Sequence, residues 1–216
     1  MCGRYYRKSD KQAIAKAFRT RNSLEDVVLP DFDYDIAPST FQPIIRADAE
    51  TGERTLTIMR WGLVPAKIAD PDSFKIYTTS NARSEGILDK PIWKGPFQHS
   101  RCLIPEDGFY ESLQRPSLPQ PPPIEPEEHG LFGDAAVVPK KAVKPETGSK
   151  PVYKFEMPDG ALYALAGLFS EWRPGHGSTH PPPDTFSILT TEANVLMEPI
   201  HNQTPVILHP RDCRRC

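Results

Sequence analysis

The sequence predicts an α+β fold dominated by strands: a β-rich single domain whose sheet curls into a partly closed barrel, with a few short helices. Three observations support this. Short runs rich in β-branched and aromatic residues recur along the chain. Gly and Pro punctuate them at irregular intervals. The helical period appears only in brief stretches, so strands rather than helices must build the core.

Taken in order, Ser9 to Phe18 reads as a short helix, with Ser9 as its cap and Ile14, Ala17 and Phe18 on one face. Asp35-Ile36-Ala37-Pro38 and Gln42-Pro43 mark a turn before an extended run through Ile44 and Ile45. Leu56, Ile58 and Trp61, broken by Thr55, Thr57 and Arg60, form a strand that Gly62 and Pro65 end. Further strands are expected at Arg101 to Ile104, Phe109 to Glu111, Tyr153 to Met157, Leu162 to Phe169, Phe186 to Thr190 and Pro205 to Leu208. Glu192 to Met197 is expected to be a short helix.

The stretch 114–150 differs from its surroundings. Pro116, Pro119, Pro121, Pro122, Pro123, Pro126, Pro139 and Pro145 fall within it, and it has no hydrophobic period. It reads as a proline-rich, disordered insertion within a domain spanning 1–216. A second Pro/Gly-rich loop is expected from Arg173 to Pro183.

The chain has 216 residues and a formal net charge of −2, which excludes a globally basic nucleic-acid binder. One local basic patch stands out: Arg4, Arg7, Lys8, Lys11, Lys16, Arg19 and Arg21 face only Asp10. The start is polar, and no apolar run approaches the ~18 residues of a membrane span. Four cysteines in no evident framework point to a reducing interior, so an intracellular protein away from membranes is expected. Cys213 and Cys216 have metal-binding spacing, but a structural zinc site needs four ligands and no second pair exists. No metal and no cofactor is therefore expected.

The residue of greatest chemical interest is Cys2. With Met1 removed, its α-amine and thiol lie on adjacent carbons. Such a 1,2-aminothiol condenses with an aldehyde, first to an imine and then to a thiazolidine ring. The free amine titrates near ~8 and a thiol near ~8.5, so both are expected to be partly deprotonated at neutral pH without special tuning.

Five segments, in order, carry a resemblance: Met1-Cys2-Gly3-Arg4-Tyr5, Arg60-Trp61-Gly62-Leu63-Val64-Pro65, Asn81-Ala82-Arg83-Ser84-Glu85, Asp107-Gly108-Phe109-Tyr110-Glu111 and His201-Asn202-Gln203-Thr204-Pro205. The set resembles the SOS response-associated peptidase family, the abasic-site shielding proteins. The resemblance implies a monomer whose partner is single-stranded DNA containing abasic sites, and a covalent crosslink through Cys2. It implies Asn81 as an orienting group, Glu111 as a proton-transferring carboxyl and His201 as an imidazole acting on the sugar oxygen. Arg4 and Arg83 would grip the flanking phosphates. Trp61 would either stack on a base or pack in the core.

Ser112 stands where family members usually have Trp, and Gln203 and Thr204 where a basic residue usually follows the histidine. Typical members also continue beyond Leu208 with further strand and helix, so a shortened C-terminus is expected. Two other functions stay open on the sequence: a thiol peptidase or amidase using Cys2, and an inactive DNA-binding relic. Cys102 is expected to be a buried strand residue.

Overall fold

A computed structural model describes residues 2–30, 32–66, 68, 74–114, 150–171 and 184–208. Most of the proline-rich stretch, the loop from Arg173 to Pro183, and the Cys213 and Cys216 pair lie outside them. Among the described residues, no helix is long and apolar enough to cross a membrane.

The chain forms β1 (Arg4–Arg7), α1 (Lys11–Phe18), β2 (Asp33–Ile36), β3 (Phe41–Ala47), β4 (Arg54–Trp61) and β5 (Asn81–Arg83). It continues with α2 (Pro91–His99), β6 (Arg101–Glu106), β7 (Gly108–Ser112), β8 (Val152–Phe155), β9 (Tyr163–Ser170), β10 (Thr185–Glu192), β11 (Gln203–Pro205) and β12 (Ile207–Leu208). A small sheet has the order β2-β1-β7-β8. The larger sheet runs β11-β10-β4-β3-β6-β9-β12, and β9 also pairs with β10. That extra pairing curls β10, β4, β3, β6 and β9 into a ring, as the sequence predicts.

Alternation along the strands sorts side chains to the two faces of the ring. Ile44, Met59, Trp61, Cys102, Ile104, Leu165 and Phe186 point inward to one core cluster that also holds Cys2, Tyr5 and Tyr163. Their neighbours Ile45, Leu56, Leu103 and Ala164 point outward and meet Ile14 and Phe18 of α1. An isolated helix this short is marginal in water, so the burial of Ile14 and Phe18, roughly 1.5–3 kcal/mol each, holds α1 in place.

Several elements differ from the sequence reading. Asp10, not Ser9, caps α1, its carboxylate accepting the Ala13 N–H at 2.7 Å. Ser9 instead donates its backbone N–H and hydroxyl to Asp107. Asp35 and Ile36 lie in strand β2 rather than a turn, because Ile36 pairs with Tyr5. Residues 193–202 form turns rather than a helix: exposed Val195 and Leu196 offer no buried apolar face, and only Met197 and, partly buried, Ala193 reach the core. Helix α2 escapes sequence reading because Gly95 and Pro96 fall inside it. Pro91 starts it favourably, and Trp93 packs against Leu63 and Leu168.

The chain passes from β6 of the larger sheet to β7 of the small one through a bend at Asp107, and Gly108 opens β7 against close neighbours. A β-carbon there would meet Tyr6 Cε1 at 2.4 Å and the Phe155 carbonyl at 2.5 Å, so only glycine lets the strands close up. We expect Gly108→Ala to lower stability by about 1–3 kcal/mol, read as a lower urea midpoint. An unchanged midpoint would show that the close approach relaxes freely.

Candidate active site at the first strand

Cys2 and Gly3 lead directly into β1, which pairs with β7 through Arg4↔Tyr110 and Tyr5↔Phe109. Continuing that ladder sets Gly3 beside Glu111. Both line a cavity of about 300 Å³ together with Arg4, Asp35, Tyr110 and Ser112. Cys2 itself is 1% exposed and belongs to the core cluster inside the ring. A larger cavity, about 660 Å³, lies between α2 and Phe169 and contains none of the expected site residues.

His201 reaches the same place from the other side. The Gln114 N–H, just beyond β7, donates to the Ile200 carbonyl at 2.8 Å and ties the two segments together. His201 Nδ1 accepts the Gln203 N–H at 3.0 Å, which puts the proton of the neutral ring on Nε2. Burial lowers the imidazole pKa, and nearby Glu111 opposes that effect.

Asn81 and Arg83 lie on β5, which runs parallel to β10 with Asn81 opposite Ile188 and Arg83 opposite Thr190. Ala82 between them faces the cluster under α2, so alternation turns Asn81 and Arg83 to the opposite side. The Arg83 charge is felt at His201. Asn81 donates from Nδ2 to Ser80 Oγ at 3.3 Å, while its buried Oδ1 accepts no hydrogen bond among the described residues. Cys2, Glu111, His201 and Arg83 thus form one electrostatic group. Asn81 shares a strand face with Arg83, but its hydrogen bond runs to Ser80 rather than to Cys2.

Arg4 is at the cavity wall, ion-paired with Asp35. Two other residues of the N-terminal basic patch hold the fold, while Lys8, Lys16, Arg19 and Arg21 are exposed. Arg7 is wholly buried and donates to the carbonyls of Ser9 and Pro30. Lys11 donates to those of Leu24 and Val27.

Two expectations need correction. Trp61 offers no face to a base: it is 0% exposed, stacks on Phe186, and donates its indole N–H to the Ser80 carbonyl at 2.8 Å. It lies at an inward position of β4, so it packs the core. The thiol of Cys2 does not ionise as an ordinary cysteine does. Burial drives its pKa up, and the charges of Glu106 and Glu111 push it further.

Glu106 is the residue that motif reading missed. It is 0% exposed, and burial drives its carboxyl from 4.5 up to about 8. Neither carboxyl oxygen has a hydrogen-bond partner among the described residues. The Tyr163 hydroxyl is close enough to favour the anion, yet outside good hydrogen-bond geometry. The signal was present: Glu106 follows Cys102 and Ile104 at spacing two, an inward position.

A carboxyl that binds its proton more tightly when folded stabilises the fold at low pH. That contribution fades as pH rises from about 4.5 to about 8. Urea denaturation of Glu106→Gln is expected to show a flatter loss of stability between pH 5 and 8.5 than the unaltered protein. Parallel profiles would place the pH dependence elsewhere.

The SOS response associated peptidase (SRAP) family model matches residues 1–215. The chain is 32% identical over 213 residues to the abasic site processing protein YoqW of Bacillus subtilis, covering 96% of this chain and 76% of that protein. It is 29% identical over 212 residues to the abasic site processing protein HMCES of Xenopus tropicalis, covering 92% of this chain and 56% of that one. A crystal structure of a Bacteroides thetaiotaomicron protein superposes with a TM-score of 0.70 at 21% identity, covering 96% of this chain and 77% of its own. With the family model matching along nearly its whole length, the chain belongs to the SOS response associated peptidase family.

Proposed function

We propose that this chain is a DNA-damage protein that recognises abasic sites in single-stranded DNA and joins to them through Cys2 once Met1 is removed. The observation that supports the reading is the succession from Cys2 to the carboxyl of Glu111 and from Glu111 to the imidazole of His201, with Glu111 lining a cavity beside Arg4. The abasic site processing relatives support the substrate class.

The chemistry runs in two steps, a condensation and a ring closure by addition. The α-amine of Cys2 attacks the aldehyde carbon of the opened deoxyribose, and water leaves to give an imine. The sulfur then adds to the imine carbon while the thiol proton passes to nitrogen, closing a thiazolidine. Glu111 and His201 move protons as the sugar opens and water departs. Because amine and thiol share one residue, ring closure is intramolecular, where effective molarities of ~10⁵ M or more are attainable. Consuming the imine spares the strand from β-elimination.

A thiol peptidase needs a depressed thiol pKa, supplied by an imidazolium partner. Both shifts here run the other way, with the thiol raised and His201 lowered. That favours the crosslinking reading over peptide hydrolysis.

Arg4 and Arg83 would hold the phosphates on either side of the lesion. Arg4 does so by exchanging Asp35 for a phosphate; both partners are more than half exposed, so the exchange is inexpensive.

Processed protein mixed with a single-stranded abasic oligonucleotide should give a denaturation-resistant adduct in gels and intact-mass spectra. Cys2→Ala should abolish it, and Glu111→Gln should slow it by roughly 10²-fold. Absence of adduct from protein that begins at Cys2 would refute the reading. Arg83→Ala should weaken non-covalent binding and reduce the slope of log affinity against log salt by about 0.7.

A further inference from the structure

Glu106 takes no part in the steps above, yet it shares the core with their nucleophile. Cys102 and Ile104 turn inward from β6, and Glu106 is the next residue on that face. Across the sheet it pairs with Tyr163, which lies in the same cluster as Cys2. The groups that act on Glu106 are Tyr163 from β9 and its neighbour Asp107, and neither supplies a positive charge. Cys2 is faced by Glu106 from β6 and Glu111 from β7, which raise its pKa, and by the positive amino-terminal charge and a hydrogen bond at Arg4, which act the other way more weakly.

Tyr5 of β1 completes the set. Its hydroxyl is buried without a hydrogen-bond partner among the described residues, and it feels Glu106 and Cys2, with Arg7 and Asp33 beyond. His201 faces Glu111 and Arg83 rather than Glu106. A buried thiol and a buried carboxyl in such surroundings cannot both ionise without a large electrostatic cost.

We propose that Glu106 is a positioning residue acting through Cys2: the two buried acids carry at most one negative charge between them, so once Glu106 has lost its proton its carboxylate keeps the sulfur a thiol. This deepens the crosslinking reading and rests on Cys2 being its nucleophile. With the sulfur held as a thiol, the amine condenses first and the ring closes after it. A neutral thiol also resists oxidation and stray alkylation. At ring closure the S–H adds across the carbon–nitrogen double bond: the carbon–sulfur bond forms and the proton ends on nitrogen. No thiolate has to persist beside Glu106.

The test needs no DNA, so its outcome is separable from that of the crosslinking assay. Protein beginning at Cys2 and its Glu106→Gln variant are treated with iodoacetamide from pH 6 to 9.5, and alkylation of Cys2 is followed by peptide mass spectrometry. With the carboxyl titrating at about 8, the variant should react about twofold faster at pH 8 and roughly tenfold faster at pH 9. Below pH 7, where Glu106 is already protonated, the two rates should agree. Glu106→Asp, which keeps an acid there, should restore slow alkylation at high pH.

Equal rates at pH 9 would overturn the proposal. So would a slower Glu106→Gln at every pH, the mark of a carboxylate that withdraws the thiol proton. Uniform acceleration across the range would also overturn it, because loosened packing rather than charge would then be the cause. Should Glu106→Gln fail to fold, Tyr163→Phe removes the group that favours the Glu106 anion. It should move the break in the alkylation profile to higher pH, and an unmoved break overturns the proposal.

Discussion

The antiparallel pairing of β1 with β7 is the constraint on which the rest of the site depends. Backbone hydrogen bonds from Arg4 to Tyr6 hold the first strand between β2 and β7. Because Cys2 lies two residues before that strand, it is carried into the ring with Tyr5. Glu111 arrives on the partner strand, and the tie from Gln114 to Ile200 brings His201 to its end. The geometry of the candidate site is thus a property of sheet register. Shifting β1 by one residue would turn Tyr5 out of the core and move Cys2 to the other face.

Placing Cys2 in the core has an electrostatic consequence. Enzymes that use a thiolate surround it with positive charge or a helix N-terminus. Here the strongest charges on Cys2 are carboxylates, and the surroundings exclude water. An aminothiol condensation tolerates this where peptide hydrolysis does not. Its first bond is made by nitrogen, and its second step returns the sulfur proton to that nitrogen, so the ring closes without net charge separation.

The cations of the N-terminal region divide by the same logic of burial. Arg7 and Lys11 donate to backbone carbonyls and are held against the protein by those bonds. Arg4 and Arg83 remain at the surface near the cavity and near His201. A basic count along the chain could not make this distinction.

Much of the fold was legible in the chain. Alternation marked β4, β6, β7, β9 and β10, and turn residues marked their ends, because each strand carries its own inward and outward faces. The ordered motifs also brought Cys2, Glu111, His201 and Arg83 into one functional reading. Short strands β2 and β5 and helix α2 were not visible, since partners distant in sequence stabilise them against weak local preference. The role of Trp61 and the state of Cys2 were likewise undetermined: a motif names a residue but not its solvent exposure. Glu106 shows the division most clearly. Sequence alone sets its inward parity on β6 and the thiol-amine chemistry of Cys2. Only the closed ring removes water from both acids and brings them within reach of each other's charge, because desolvation and long-range Coulomb interaction are properties of the packed molecule.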